Sequence, residues 1–473
     1  MSSGSVEPCA CDLLVRNALV VTMDPERRVF RTGALAIGEG RILAVGPERE
    51  LAGRYGATRA IDAGGGIVHP GLIESHVHPN QQLIRFAFPD TFSYPDTLGF
   101  YIEFLLAIDE EDEYASTLLA CLEMVRNGAT CFLEGCGSVL EPDAAAAAIE
   151  AVGMRGSLGD PYIWDIGGEW AAPLAKRIPP DLGRALDLLG GQLKRNRDEE
   201  ALVRGHVAMT GHATASDELE LAAKACADEH GAILNQHQSY AASDTSADDE
   251  LRGQHPLAHF GEIGVLGENC TFAHMNLIRD DEVEPVTASG LSIVWCPTAS
   301  MLWGAGGTFR GRHVELFRRG ANVALGSDAS CFAGSLDVGE QAFLAVLTAR
   351  ERSGETDVLL AEDALAMATV NGAQALGMAD EIGSLEVGKR ADVVVRRTDL
   401  PEWEPATNPI RNLIFASRSK SVDTVIVNGE VIVEGGHSMR VDERAVYRGA
   451  AARARRLLTR IGRDPEWRWP VIE

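Results

Sequence analysis

No stretch of the 473-residue chain approaches the roughly 18 uninterrupted apolar residues of a membrane helix. Residues 1–12 also lack a basic region followed by an apolar core, so neither a leader nor a span is expected and the reading is cytoplasmic. Positive charge is scarce, with 43 Lys and Arg against 69 Asp and Glu, a formal charge of −26 and a pI near 4.9. Such a surface repels phosphate backbones and anionic lipid, which argues against nucleic acid and membrane partners and for a small neutral or cationic ligand. C-x-x-C spacing is missing among the nine cysteines (Cys9, Cys11, Cys121, Cys131, Cys136, Cys226, Cys270, Cys296, Cys331). Scattered cysteines fit reduced thiols better than a disulfide framework or a zinc knuckle.

What the chain does have is apolar substance: 45% hydrophobic residues, with 49 Gly and 20 Pro. Its length exceeds one ordinary domain and accommodates a barrel of roughly 250 residues plus a smaller unit. Short β segments occupy residues 13–15, 18–22, 33–37 and 41–45, with Gly38-Glu39-Gly40 as a hairpin signal. The same texture returns at 391–395 and 424–433. Residues 1–68 and 379–437 are therefore expected to build one small β-sandwich domain from both chain ends. Residues 438–473 follow as a C-terminal helix and tail, in which the Arg-rich segment 442–461 packs on the barrel or on a neighbouring chain.

Residues 69–378 alternate short apolar strands with longer helical segments, the pattern of a parallel sheet with crossover helices. Strands are expected up to His76 and at 129–134, 154–159, 202–209, 232–237, 270–274, 291–297 and 323–328. Helices are expected at 110–127, 143–152 and, capped by Ser216, 216–229. Eight such units predict an α/β fold with a (β/α)8 TIM-like barrel, whose chemistry gathers at the C-terminal strand ends.

The opening strand leads into His76-Val77-His78, and residues i and i+2 of a strand share a face. With 12 histidines in the chain, chance alone supplies about 0.3 such spacings, so the pair needs company. It has company: His237, His274 and Asp328 stand at the ends of later expected strands. Any one of them is an ordinary hydrogen-bonded core group, but the recurrence of ligand types at one end of the fold points to metal chemistry. His76, His78, His237 and Asp328 are a nitrogen and oxygen set suited to one Zn²⁺, or to Co²⁺, Mn²⁺ or Fe²⁺, with a position left for water.

The ordered motifs resemble those of the amidohydrolase superfamily, in its mononuclear branch of triazine hydrolases and guanine and adenosylhomocysteine deaminases. They run from His69-Pro70-Gly71-Leu72-Ile73-Glu74-Ser75-His76-Val77-His78 through residues 216–237, Phe260-Gly261-Glu262-Ile263-Gly264-Val265-Leu266, Ala273-His274, Cys296-Pro297 and Gly326-Ser327-Asp328. They continue through Ala368-Thr369-Val370-Asn371-Gly372-Ala373, residues 382–392 and Val427-Asn428-Gly429. The resemblance implies that His76, His78, His237 and Asp328 bind the metal, that Asp328 also acts as base, and that His274 faces the substrate. Binuclear relatives bridge two metals with a fourth-strand lysine carbamate, and 202–209 contains no lysine, which implies one ion.

The chain departs from the deaminases at Tyr240, where they carry a proton-shuttling glutamate three residues after the fifth-strand histidine, and at Thr298-Ala299-Ser300, where they carry Ser-Asn. A phenol of pKa near 10 is a poor base at pH 7 but can donate to an oxyanion. The expected reaction is therefore hydrolysis of a non-peptide C–N or carbamoyl C–S bond in a small neutral molecule, as in the phenylurea and thiocarbamate (molinate) hydrolases. Deamination of a purine, pterin or triazine ring, with Tyr240 or Glu134 in the glutamate's role, is the alternative; a metal-free binding scaffold is the remote one. Expected substrate contacts are Tyr240, His212, Gln82, Trp303 and Asn235, the last on the strand face of His237. Asn80, Gln81, Phe86, Asp160, Tyr162, Trp164 and His206 are further rim candidates. The resemblance also implies a homo-oligomer.

Overall fold

A computed structural model describes residues 8–51, 53–167, 173–463 and 469–472. The two chain ends meet in one nine-stranded mixed sheet. Cys9–Val21, Val29–Gly38, Arg41–Pro47, Tyr55–Asp62 and Ile67–Pro70 join Val393–Arg396, Val422–Val427, Glu430–Glu434 and His437–Ser438. The join is the antiparallel pairing of Ile67–Pro70 with Val393–Arg396, in which Val68 opposes Val395. The sandwich expected from the ends takes the form of this continuous sheet with an apolar cluster on each face. Period two decides the faces: Leu35 and Ile37 enter one cluster, Ala34 and Ala36 the other. Gly38 pairs with Arg41 across the expected hairpin, where Glu39 and Gly40 adopt φ of 50° and 73°. Two left-handed residues match a two-residue turn to the twist of the strands.

Between the ends, parallel strands alternate with helices. Leu72–Val77, Ala129–Glu134, Arg155–Leu158 and Val203–Gly205 form one sheet. Val207–Gly211, Leu234–Gln238, Cys270–His274, Ser292–Trp295 and Asn322–Leu325 form a second, and within each sheet neighbours pair in chain order. Expected strand 202–209 is interrupted at His206. The His206 N–H donates to the Leu158 carbonyl at 3.1 Å, and the Val207 N–H turns to Ile233 at 3.0 Å, so one chain segment serves both sheets. At the other seam Val77 bridges to Asp328, whose N–H donates to His76 O at 2.9 Å.

The helices begin and end on local signals. Asp109 caps Glu110–Arg126, Pro142 opens Pro142–Val152, and Ser216 caps Asp217–His230, which stops at left-handed Gly231. The C-terminal helix Glu443–Arg460 lies on the chain's own Glu110–Arg126, tied by Arg453 to buried Asp112 at 3.2 Å and by Arg126 to Glu443 at 3.1 Å. A buried bidentate pair, Arg155 to Asp392 with both contacts at 3.1 Å, links the parallel strands to the mixed sheet. Removing one partner would leave a buried charge and cost about 3–5 kcal/mol. Among the described residues no helix is long and apolar enough to cross a membrane.

Candidate metal centre and active site

Strand Leu72–Val77 is buried along its whole length, so its polar members must be satisfied from within. Glu74 accepts from both the N–H and the hydroxyl of Ser327, which draws the segment carrying Asp328 against the first parallel strand. Gly326 permits that approach, since a Cβ there would lie 2.8 Å from the Cβ of His76. Asp328 is three residues beyond its strand, not on it, with φ of 69°, and His274 ends its strand at φ 72°. Left-handed backbone at such residues costs about 1–3 kcal/mol and persists because other contacts fix it. The Asp328–His76 backbone bond does so for one, and His313 Nε2–H donating to His274 O at 2.6 Å does so for the other.

These constraints bring five candidate side chains to one point. His78 Nε2 lies 3.2 Å from His237 Nε2 and 3.3 Å from Asp328 Oδ1. His76 Nε2 is 3.8 Å from the same carboxylate oxygen, and His274 Nε2 is 4.0 Å from Asp328 Oδ2. The tautomers follow from the outer contacts. His237 Nδ1–H donates to the Thr210 carbonyl at 2.9 Å. His78 Nδ1–H donates to Ser138 Oγ at 2.7 Å, because that hydroxyl already gives its proton to Glu134 at 2.9 Å. Both Nε2 lone pairs therefore face each other, a repulsive arrangement that a cation between them reverses. His76, fully buried, has no hydrogen-bond partner among the described residues at either ring nitrogen. Burial holds the His237 imidazole down at about 3 and keeps His76, His78 and His274 well below the usual range, so all four rings are neutral at pH 7. The donor set fits one divalent ion, and His274 is as near His76, at 5.0 Å between ring centroids, as His237 is.

Above this cluster opens a cleft of about 710 Å³, mouth included, whose walls include Leu98, Tyr101, Tyr162, Tyr240 and Phe332. Of the expected contacts, Tyr240 and His212 are in it. Tyr240 sets its ring edge-on to His274 at 4.7 Å, its hydroxyl donates to Ala299 O at 3.2 Å, and burial raises its pKa well above that of a free phenol. His212 stacks on His237 at 5.0 Å.

Three expectations need correction. Gln82 turns its amide to Glu123, and it is Gln81 that lines the cleft, because the segment Pro79–Ile84 is a 3₁₀ helix that rotates each residue by about a third of a turn. Asn235 spans the Cys136 N–H at 3.1 Å and the Thr271 carbonyl at 2.8 Å, bracing neighbouring strands behind the site. Trp303 backs Phe332 at 5.4 Å and donates to its carbonyl. Glu134, offered as an alternative acid, is consumed by Ser138, Gly137, Val139 and Gly159. His206 occupies the strand break, bonded to Ser157, and Asn80 donates to Ser138 O. Two residues went unnoticed in the sequence: Ser138, which orients His78, and Asp244, which lines the cleft beside His212. A serine in a glycine-rich turn and one aspartate of an acidic helix carry no distinguishing spacing.

The chain is 34% identical, over 91% of its length and 95% of the relative's, to a 5-methylthioadenosine/S-adenosylhomocysteine deaminase of Syntrophobacter fumaroxidans. A solved adenosine deaminase of Xanthomonas campestris with bound zinc superposes with a TM-score of 0.85 at 26% identity, covering 96% of this chain and all of that one. The zinc complex of atrazine chlorohydrolase from Arthrobacter aurescens shares the fold, with a TM-score of 0.82 at 23% identity over 93% of this chain and all of that one. The model of the amidohydrolase family matches residues 67–432, the span that holds every candidate ligand, and the chain belongs to that family.

Proposed function

We propose that this protein is a metal-dependent aminohydrolase that releases ammonia from a flat aminated heteroaromatic ring of the adenine nucleoside kind. The observation that carries the reading is the donor cluster itself. His76, His78, His237 and Asp328 converge beside His274 on the floor of an aromatic cleft, in a chain similar end to end to a deaminase of adenosine derivatives. We read the two parallel sheets as one (β/α)8 barrel, since both seams are hydrogen-bonded. The four residues would hold one divalent ion, zinc first because the solved Xanthomonas relative has zinc bound; when bound it would lower the pKa of water toward roughly 7 to 9. Asp328 would take a proton from the attacking water, and His274 would hydrogen-bond the group under attack. The tyrosine and phenylalanine walls hold the ring flat and exclude solvent.

A second reading, hydrolysis of a urea, carbamate or thiocarbamate, is favoured by Tyr240. A buried phenol that stays protonated serves an oxyanion better than a leaving ring amine. Product analysis separates the two. The metal-loaded protein is incubated with aminopurine nucleosides, aminopterins, aminotriazines, phenylureas and thiocarbamates, and ammonia is measured beside amine and thiol. Ammonia from at least one aminated ring is expected, and Tyr240→Phe should retain most of that activity. Turnover confined to ureas or carbamates, without ammonia from any ring, would reverse the order of the two readings.

A further inference from the structure

Ring deamination needs more than a metal, a base and a polarising histidine. As water adds to the ring carbon, the adjacent ring nitrogen must gain a proton, and the amine must leave as ammonia. A second acid is therefore required within the cleft. The residue at the position of the deaminases' glutamate, Tyr240, is held protonated, and the buried carboxyls of Glu74 and Glu134 are committed to Ser327 and to the Ser138 turn. Among the described residues that line the cleft, the carboxyls are Asp328 and Asp244.

Asp244 stands one turn after Tyr240, in the first turn of helix Ala242–Arg252. Its side chain is 12% exposed and lines the same cleft as His237, His274 and Tyr240. Asp244 Oδ2 accepts from the Ala241 N–H at 2.9 Å and lies 3.6 Å from His212 Nδ1. His212 is itself pinned. Gly211 packs so tightly that a Cβ there would meet His237 O at 2.1 Å, and His212 and Ala213 follow at φ 55° and 57°. The result is a buried His212 Nδ1 with no hydrogen-bond partner among the described residues, facing a carboxyl just beyond bonding distance. Such a gap suits a third polar atom, from substrate or water. The plain alternative is that Asp244 only caps its helix; Asp96 does that for helix Tyr94–Ala107 from an exposed position, so capping does not demand the burial.

We propose that Asp244 is the acid that passes protons to and from the ring during deamination, in place of the glutamate missing at Tyr240. This rests on the deaminase reading. The protonated carboxyl gives its proton to the ring nitrogen as the water oxygen bonds to the ring carbon and the water's first proton goes to Asp328. The carboxylate of Asp244 then takes the second proton from the added hydroxyl. Asp328 delivers the first to the amine, the C–N bond breaks, and ammonia leaves from a ring carbonyl. One water is consumed, and both carboxyls return to their starting states.

The surroundings are consistent with an acid at neutral pH. Burial pushes Asp244 up to about 7. The groups facing it are His212, held down at about 4 by burial; Asp248 one turn on, pushed up to about 6; the protonated Tyr240; and the Ser243 hydroxyl. None supplies a fixed positive charge that would keep Asp244 ionised.

The test uses the metal-loaded full chain with Asp244→Asn and Asp244→Ser, both of which can still cap the Ala241 N–H. Each should keep its metal and its affinity for the ring-carbonyl product. Each should lose about 10²-fold or more in kcat for ammonia release with little change in KM. The parent's decline in rate as pH rises through about 7 should vanish, because the acid that ionises there has been removed. Asp244→Glu should recover part of the rate. An Asn variant within threefold of the parent with the same pH profile would overturn the assignment, as would a loss found wholly in KM or in metal content. Absence of ammonia release by the parent would instead refute the deaminase reading, so the two failures are distinct.

Discussion

Ser138 receives the Nδ1–H of His78 and donates to Glu134, so the free Nε2 of His78 is aimed by residues that never touch an ion. Such outer partners typically account for 10- to 100-fold in metal affinity. Ser138→Ala is therefore expected to weaken metal binding by about that factor, measured by chelator competition, with little change in melting temperature; unchanged affinity would remove Ser138 from the site. The convergence of His76, His78, His237, His274 and Asp328 was legible because a histidine pair and later histidine and aspartate residues recur where strands end. Gln82 stands one residue out of phase with the cleft, because nothing in the sequence distinguishes a short 3₁₀ helix from a loop. Asp244 was not legible at all: it stands near Asp248, Asp249 and Glu250, and only folding separates the residue that enters the cleft from those that do not.

The elements carry their signals in hydrophobic runs and caps. Ala129–Glu134 and Cys270–His274 have the bounds expected of them, since short apolar runs there are delimited by helix ends and a polar turn. The fourth strand does not, because the break at His206 is decided by which neighbour supplies the carbonyl, Leu158 or Ile233. His206 also marks a measurable linkage. Burial holds its folded-state pKa down at about 3 against an ordinary 6.5, so the unfolded chain takes up a proton that the fold refuses. Its contribution to stability is full above about 6.5 and is lost as pH falls toward 3. Between pH 7 and 5 that loss is about 2 kcal/mol. Buried carboxyls such as Glu113, pushed up to about 8, titrate with the opposite sign, so the test is a difference. The stability gap between the parent and His206→Gln, from denaturant unfolding, should narrow by about 2 kcal/mol from pH 7 to 5; a constant gap would contradict the buried neutral histidine.

For the whole molecule, alternation of texture announced a β unit made from both ends around a parallel α/β middle. The buried Arg155–Asp392 pair that joins them spans 237 positions, a separation at which sequence pattern is silent. The Arg-rich C-terminal helix was ambiguous for the same reason: its partner, the acidic first turn of Glu110–Arg126, is over 300 residues away. On the proposed function, one divalent ion held by His76, His78, His237 and Asp328 drives ammonia release from an aminated ring. Chelator-treated protein titrated with zinc tests it, with ammonia release followed at each addition. A linear rise that breaks at one equivalent per chain is expected. A break at two equivalents, or full ammonia release by the metal-free protein, would contradict it.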